Sequence, residues 1–161
     1  MGEYRTGQGW DIHRIAPGRP LILGGVVIPC EFGLEGHSDA DVLAHAITDA
    51  LLGAAALGDI GIHFPDSDAR WKGADSILFL RHARDLAVAA GYRIVNVDST
   101  VIIERPKLKD YRLAIRERLA TALEIEVDRV SVKFKTAEGV GSVGEGRAAE
   151  AQAIVTVQRE Q

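Results

Sequence analysis

The sequence contains few cysteines, few aromatic residues and no long apolar segment. Cys30 is the only cysteine among 161 residues, so no disulfide can form within the chain, and this usage is typical of a reducing cytosol. The longest apolar run, near ALLGAAALG, is far too short to span a bilayer, and no export signal is recognisable at the start. We therefore expect a soluble, cytoplasmic protein with no membrane partner.

Positive charge is also in deficit. The 19 Lys and Arg residues against 23 Asp and Glu residues give a formal net charge of −4, which argues against a nucleic-acid partner. A phosphate-bearing ligand would then be held by metal ions and local donors. Apolar residues, in contrast, make up 47% of the chain at a mean hydropathy of +0.03, which suffices for one packed domain over residues 1–161.

Strand and helix signals alternate along the chain. Apolar periodicity and turn residues predict strands over 4–14, 21–29, 93–103, 130–135 and 151–158, helices over 39–57 and 75–90, a helix carrying Tyr111, Ile115, Leu119 and Leu123, and a loop over 58–73 long enough to form a mobile lid. Strands at both ends with three helices between them predict an α+β fold. Its mixed β-sheet would be covered by helices mainly on one face.

Asp11, His13 and His45 form a candidate metal site. Alternate side chains of a strand share a face, so Asp11 and His13 point the same way. Catalytic zinc sites usually take three protein ligands, and His45 on the predicted helix is the third candidate. Asp41 and Asp49 lie one turn to either side of it, and either carboxylate could accept its second ring N–H. A histidine on a helix is more often a surface or core residue than a metal ligand, so these residues alone do not decide whether a metal binds here.

Nucleophilic and nucleotide-hydrolysing chemistries find little support. Ser38 has no G-x-S-x-G surroundings and is interpreted as the N-cap of the following helix. Cys30 has no identifiable base and lies in an apolar strand end, which favours a buried structural thiol. No G-x-x-x-x-G-K-[ST] motif is present, so hydrolysis of ATP or GTP by a P-loop is unsupported.

The glycines of 139–144 spell G-x-G-x-x-G directly after a predicted strand, as in a dinucleotide-binding fingerprint. Only residues 145–161 follow, which leaves no room for the helix, second parallel strand and distant acidic residue of that unit. A permissive glycine turn is the better interpretation. It would place Lys135, Thr136 and Glu138 at a strand end, where a phosphate or a second metal could be bound.

Several longer motifs carry a family resemblance. They are GWDIH at 9–13, GHSDADV at 36–42, His45, DALLG at 49–53, LGDIG at 57–61, HFPD at 63–66 and RPKL at 105–108. Together they resemble the 2-C-methyl-D-erythritol 2,4-cyclodiphosphate synthase family of the non-mevalonate isoprenoid pathway. The resemblance covers nearly the whole chain.

The resemblance implies a phosphorus–oxygen lyase that cyclises 4-diphosphocytidyl-2-C-methyl-D-erythritol 2-phosphate and releases CMP. It implies a homotrimer with active sites at subunit interfaces. Each site would hold zinc on Asp11, His13 and His45, and a second divalent cation, Mg²⁺ or Mn²⁺, with help from Glu138.

The resemblance also implies roles for single residues. His37 and Thr136 match positions that stabilise the transition state. The substrate-binding set comprises Asp11, His13, His37, Ser38, Asp59, Gly61, Phe64, Asp66, Asp68, Ile103, Pro106, Lys107, Leu108, Lys135, Thr136 and Glu138. Within it, the segment 103–109 would bind the cytosine, and the 64–68 loop would close over the substrate.

Two segments depart from the family pattern. Lys135-Thr136-Ala137-Glu138 stands where many members carry Thr-Thr-Thr-Glu, so the threonine and the glutamate are kept and a lysine is added. The following glycine loop, 139–147, is altered and shortened, and Arg147 is displaced. Catalysis should tolerate the first change.

Two other functions share the same ligands. A zinc-dependent phosphohydrolase would deliver a metal-bound water to phosphorus and yield inorganic phosphate or linear products. A metal-stabilised trimeric binding module would lose stability on chelation and show no turnover. Three ligands leave an open coordination position, which disfavours a purely structural site.

Overall fold

The computed structural model describes residues 2–159, along which strands and helices alternate. The strands are β1 (Tyr4–Pro17), β2 (Leu21–Leu23), β3 (Val26–Ile28), β4 (Phe32–Leu34), β5 (Tyr92–Ile102), β6 (Val130–Lys135) and β7 (Ala148–Arg159). The α-helices are α1 (Val42–Ala54), α2 (Ile60–His63), α3 (Ser76–Ala89), α4 (Arg112–Leu123) and α5 (Gly141–Gly144). Short 3₁₀ turns occupy Ala69–Trp71, Lys109–Tyr111 and Val127–Arg129.

The main sheet has five strands in the order β4-β1-β7-β5-β6. β1 pairs antiparallel with β4 and β7, β5 pairs antiparallel with β7, and β5 pairs parallel with β6. The predicted α+β fold with a mixed sheet is therefore confirmed. In the β1–β7 register, Asp11 lies opposite Ala151 and His13 opposite Ala149, so small side chains flank both candidate metal ligands.

The helices cover one face of this sheet, as predicted. Side chains alternate between buried and exposed along β7, and Trp10, Ile12 and Ile154 are exposed on the uncovered face. On the covered face, α1 lies directly on β1. A Cβ at Gly7 would lie 2.0 Å from the Ala50 carbonyl oxygen, so only glycine permits this approach. It brings the helix that carries His45 close to the strand that carries Asp11 and His13.

The hydrophobic core lies between the helices and the sheet and is almost entirely aliphatic. Leu43, Ile47 and Leu51 of α1, Leu80 of α3 and Leu119 of α4 are fully buried in one continuous cluster. Burial of this stripe from each helix is the main force holding the helices to the sheet. Across residues 2–159, none of the helices has the length and apolar character needed to cross a membrane.

The predicted strand over 21–29 is instead a hairpin. Gly24 and Gly25 have positive φ angles of 58° and 74° and turn the chain between β2 and β3. The short strand β4 was not predicted. Cys30, predicted to be a buried thiol, is only partly buried and packs against the core.

The predicted helix over 39–57 is shorter at both ends. Asp41, not Ser38, is its N-cap, because the Asp41 carboxylate accepts the backbone N–H of Ala44. The predicted loop over 58–73 is not structureless, since it contains α2 and the first 3₁₀ turn. Asp59 caps α2 and Asp68 caps that 3₁₀ turn.

The glycine-rich segment forms the single helical turn α5 and runs straight into β7. Because β7 is antiparallel to both of its neighbours, this segment is not part of a β-α-β dinucleotide-binding unit. Gly141 and Gly146 have positive φ angles of 70° and 73°, which fits the predicted permissive turn.

Candidate active site

Three side-chain atoms from β1 and α1 converge at one point. Asp11 Oδ2 lies 2.9 Å from His13 Nε2 and 3.0 Å from His45 Nδ1, and the two nitrogens are 3.2 Å apart. Tetrahedral zinc with bonds of about 2.0 Å places its ligand atoms about 3.3 Å apart. The spacing therefore fits one zinc ion. Within residues 2–159, no other group of three His, Cys, Asp or Glu side chains brings its ligand atoms within 4.8 Å of one another.

The orientation of His13 also suits a metal ligand. Its Nδ1 lies 2.7 Å from the backbone carbonyl oxygen of Glu35, which can only accept a hydrogen bond. In its neutral form, His13 therefore carries its hydrogen on Nδ1 and turns the Nε2 lone pair toward Asp11. A carboxylate oxygen and an unprotonated ring nitrogen repel each other at 2.9 Å, and a cation between them removes that repulsion.

The pKa shifts of Asp11 and His13 also fit a cation at this position. Burial alone would raise the pKa of Asp11, but the adjacent His13 and His45 rings lower it to about 2. Burial alone would lower the pKa of His13, but the Asp11 carboxylate raises it above its usual value. Asp11 is thus an anion at neutral pH, and a proton on His13 competes with a metal for the same position.

The second ring nitrogen of His45 contacts serines, so the prediction that Asp41 or Asp49 accepts from it is wrong. His45 Nε2 lies 2.7 Å from Ser76 Oγ and 3.2 Å from Ser38 Oγ. Asp41 instead accepts three backbone N–H groups, and Asp49 accepts one. Ser76 lies 31 residues beyond His45, at the start of α3, and no local pattern in the sequence connects the two.

A cavity of about 390 Å³ opens beside the candidate ligands Asp11, His13 and His45. Eight of the predicted site residues line it: Asp11, His13, His37, Ser38, His45, Gly61, Phe64 and Asp66. Its aromatic wall was not predicted in full. Phe64 stacks on Phe79 with ring centroids 4.4 Å apart, and Trp71 meets Phe64 edge-on at 5.2 Å. His37 Nε2 lies 3.2 Å from the Asp68 carbonyl oxygen, which holds the imidazole at the cavity edge.

A second cavity, of about 270 Å³, lies at the ends of β5 and β6. Six further predicted residues line it: Ile103, Pro106, Lys107, Leu108, Lys135 and Thr136. Lys109 and Arg112 line it too, so four basic side chains meet here in a chain of net negative charge. Apolar walls with basic groups at the rim suit a planar ring joined to phosphates.

The structure of one chain does not unite the predicted site. None of the residues lining the first of these two cavities lines the second. His37 lies in the first and Thr136 in the second, while Asp59, Asp68 and Glu138 line neither. Thr136 Oγ1 lies 3.4 Å from Glu138 Oε1, so these two residues do stay together.

The fold and site define an α+β protein whose three candidate metal ligands lie beside a substrate-sized cavity, the arrangement of a metal-dependent enzyme. The chain belongs to the YgbB family, whose model matches residues 4–158.

Named relatives narrow this class. The 2-C-methyl-D-erythritol 2,4-cyclodiphosphate synthase of Solibacter usitatus is 79% identical over 159 residues, covering 99% of this chain and 100% of that protein. The solved bifunctional IspDF of Campylobacter jejuni matches with a TM-score of 0.96 at 40% identity, covering 100% of this chain and 44% of that longer chain. The CDP complex of IspF from Plasmodium falciparum matches with a TM-score of 0.87 at 38% identity, covering 100% and 99%.

Proposed function

We propose that the chain converts 4-diphosphocytidyl-2-C-methyl-D-erythritol 2-phosphate to 2-C-methyl-D-erythritol 2,4-cyclodiphosphate and CMP. It is an enzyme of the lyase class in isoprenoid biosynthesis. The observation that carries the proposal is the Asp11, His13 and His45 group at the mouth of a cavity, in a chain 79% identical to a named synthase.

The reaction needs no protein nucleophile. An oxygen of the substrate's own 2-phosphate attacks the β-phosphorus, and the bond from the β-phosphorus to the bridging oxygen breaks. CMP leaves with the bonding electron pair on that oxygen. The protein's task is to fold the substrate so that attacking oxygen and phosphorus meet, and such positioning can supply about 7 kcal/mol or more of the barrier.

The residues of the two cavities divide this task. His37 and Thr136 are proposed to stabilise charge on the transferring phosphate, and the cavity of Lys107 and Leu108 is proposed to bind the cytosine. Zinc on Asp11, His13 and His45, and Mg²⁺ or Mn²⁺ near Glu138, would supply positive charge to the phosphates when bound. That supply matters in a chain whose own net charge is −4.

We further propose a homotrimer in which each active site forms between two copies. Two observations support it. The metal-side cavity and the basic cavity share no residue, and the open face of the sheet exposes Trp10, Ile12 and Ile154 to solvent. A closed ring of copies buries such a face and joins the first cavity of one copy to the second cavity of the next.

Mixing two inactive variants tests this arrangement. His45→Ala spoils the first cavity and Thr136→Ala the second, so each homogeneous protein is impaired. In oligomers refolded from an equal mixture, about one quarter of the sites combine two intact halves, and activity returns to about that fraction of wild type. Mixed oligomers, verified by native mass spectrometry, that regain no activity would contradict sites shared between copies.

Phosphorus NMR of the purified protein with substrate, Zn²⁺ and Mg²⁺ tests the function itself. We expect CMP and a cyclic diphosphate to appear together and to stop forming when a chelator is added. Inorganic phosphate or linear products would favour a zinc-dependent phosphohydrolase. Loss of thermal stability on chelation, without any turnover, would favour a metal-stabilised binding module.

A further inference from the structure

A chain of hydrogen bonds lies behind His45, on the side away from Asp11 and His13. His45 Nε2 is 2.7 Å from Ser76 Oγ, and Ser76 Oγ is 2.5 Å from Asp39 Oδ1. Ser76 is completely buried at the first position of α3. The chain therefore joins a candidate metal ligand on α1 to a carboxylate before that helix, through a residue of another helix.

The Asp39 carboxylate is held rigidly at the end of this chain. Its Oδ2 accepts the backbone N–H of Ser76 at 3.1 Å, and its Oδ1 accepts the backbone N–H of Asp41 at 3.2 Å. Ala40, between the two aspartates, has a φ angle of 58°, a left-handed conformation that alanine rarely adopts. With this turn, Asp39 contacts α3 while Asp41 contacts the β2–β3 hairpin. The left-handed turn at Ala40 thus directs the Asp39 and Asp41 carboxylates to different parts of the fold.

The chemistry of these groups sets the direction of every hydrogen bond. A carboxylate only accepts, so the Ser76 hydroxyl gives its single hydrogen to Asp39. The Ser76 oxygen then offers only lone pairs, and His45 must donate to it from Nε2–H. A neutral imidazole has one N–H, so Nδ1 is bare, 3.0 Å from Asp11 Oδ2.

We propose that Asp39 and Ser76 are positioning residues that fix the tautomer of His45 so that Nδ1 presents its lone pair to the metal. This inference rests on the metal site of the proposed function. Fixing a ring tautomer through its outer nitrogen is a general way to raise metal affinity, and loss of such a partner typically costs 10- to 100-fold. Here the partner is a serine whose hydrogen is directed away from His45 by the Asp39 carboxylate.

Ser38 makes the proposal specific to Ser76. Ser38 Oγ also lies 3.2 Å from His45 Nε2 and 3.3 Å from Ser76 Oγ, and it contacts no carboxylate in the described residues, so in the wild type its hydrogen can go to the Ser76 oxygen. Without Ser76, the Ser38 hydroxyl can donate to Nε2 and favour the opposite tautomer, with the hydrogen on Nδ1 facing Asp11. Removing Ser76 therefore does more than remove one contact.

Zinc affinity of the full chain, measured without substrate by competition with a chromogenic chelator, tests the proposal. We expect Ser76→Ala and Asp39→Asn each to bind zinc about 10- to 100-fold more weakly than wild type. Asp39→Asn keeps the volume and the Ser76 hydroxyl, but an amide nitrogen in the place of Oδ1 donates to Ser76, reverses the chain of hydrogen bonds and gives up the contact with the Asp41 N–H. Thr48→Ala is the matched control, because the buried Thr48 hydroxyl donates to the Ala44 carbonyl and does not contact His45. Its zinc affinity should equal that of wild type.

Nitrogen-15 NMR of the histidine rings reports which ring nitrogen carries the hydrogen, which would not change if Asp39 and Ser76 had a purely structural role. In zinc-free wild type, His45 should carry its hydrogen on Nε2, and in Asp39→Asn on Nδ1. A wild-type His45 with the hydrogen on Nδ1, or variants that bind zinc as tightly as wild type, would overturn the positioning role alone. A wild type that binds no zinc would overturn the metal site as well.

Discussion

Replacing His45 by alanine is expected to lower turnover of the cytidine diphosphate substrate by at least about 10³-fold, or about 4 kcal/mol of transition-state stabilisation. The variant should also purify without zinc. His45 Nδ1 is one of only three ligand atoms, and Asp11 and His13 alone make an incomplete site. The measurements are steady-state release of CMP and zinc content by atomic absorption.

His82→Ala is the matched control for His45→Ala. His82 is an exposed residue of α3 that packs edge-on against Phe64 with ring centroids 5.3 Å apart and lies outside the metal group. Its zinc content should equal that of wild type. A zinc-free His45→Ala protein with wild-type turnover would refute the zinc-dependent reaction, because the reaction would then proceed without the ion.

Replacing Asp41 by alanine is expected to destabilise the fold by about 3 kcal/mol. The Asp41 side chain is completely buried. Its carboxylate accepts the N–H of Gly25 at 2.7 Å and those of Gly24 and Ala44 at 2.9 Å each. Alanine would leave these donors unpaired in the interior, and the first turn of α1 would lose its cap. The free energy of unfolding in urea measures the loss.

Asp75→Ala is the matched control for Asp41→Ala. Asp75 is the N-cap of α3, but it is about half exposed and its cap accepts only the N–H of Ile77. Its replacement should cost no more than about 1 kcal/mol. Equal losses for the two variants would mean that the hairpin contact of Asp41 contributes nothing to stability.

The stabilising effect of Asp41 should depend on pH. Burial raises the pKa of Asp41 to about 6, against an ordinary value of 3.8, although its three N–H partners oppose the shift. The folded protein therefore holds the proton more tightly than the unfolded chain does. This group stabilises the fold most at low pH and loses part of that effect as pH rises through 6. The difference in unfolding free energy between wild type and Asp41→Ala should accordingly be larger near pH 5 than near pH 8.

Much of the architecture could be predicted from local sequence patterns. The period-two pattern of a strand is a property of its backbone, so the spacing of Asp11 and His13 is enough to place both side chains on one face. Asp75 as an N-cap and Gly91, with a φ angle of 85°, as the stop after α3 follow from equally local chemistry. Local spacing offered His45 as the third candidate ligand, and the family motifs turned that candidate into an expectation.

Contacts between distant segments could not be predicted in the same way. Asp41 and Asp49 lie at helical spacing from His45, yet their carboxylates bind backbone N–H groups, and Ser76 takes the place expected for them. Which acceptor meets a buried donor depends on which elements pack together. The sequence contains the acceptors but does not reveal their distances.

The sequence by itself therefore determined the mixed α+β architecture and the placement of Asp11 and His13 on one face of a strand, and it predicted a substrate-binding set. Only the tertiary structure decided that Asp41 joins α1 to the β2–β3 hairpin, that Asp39 and Ser76 stand behind His45, and that the set divides between two cavities. Periodicity and capping act over one or two turns of backbone, whereas these arrangements are fixed by the packing of helices and strands against a common core.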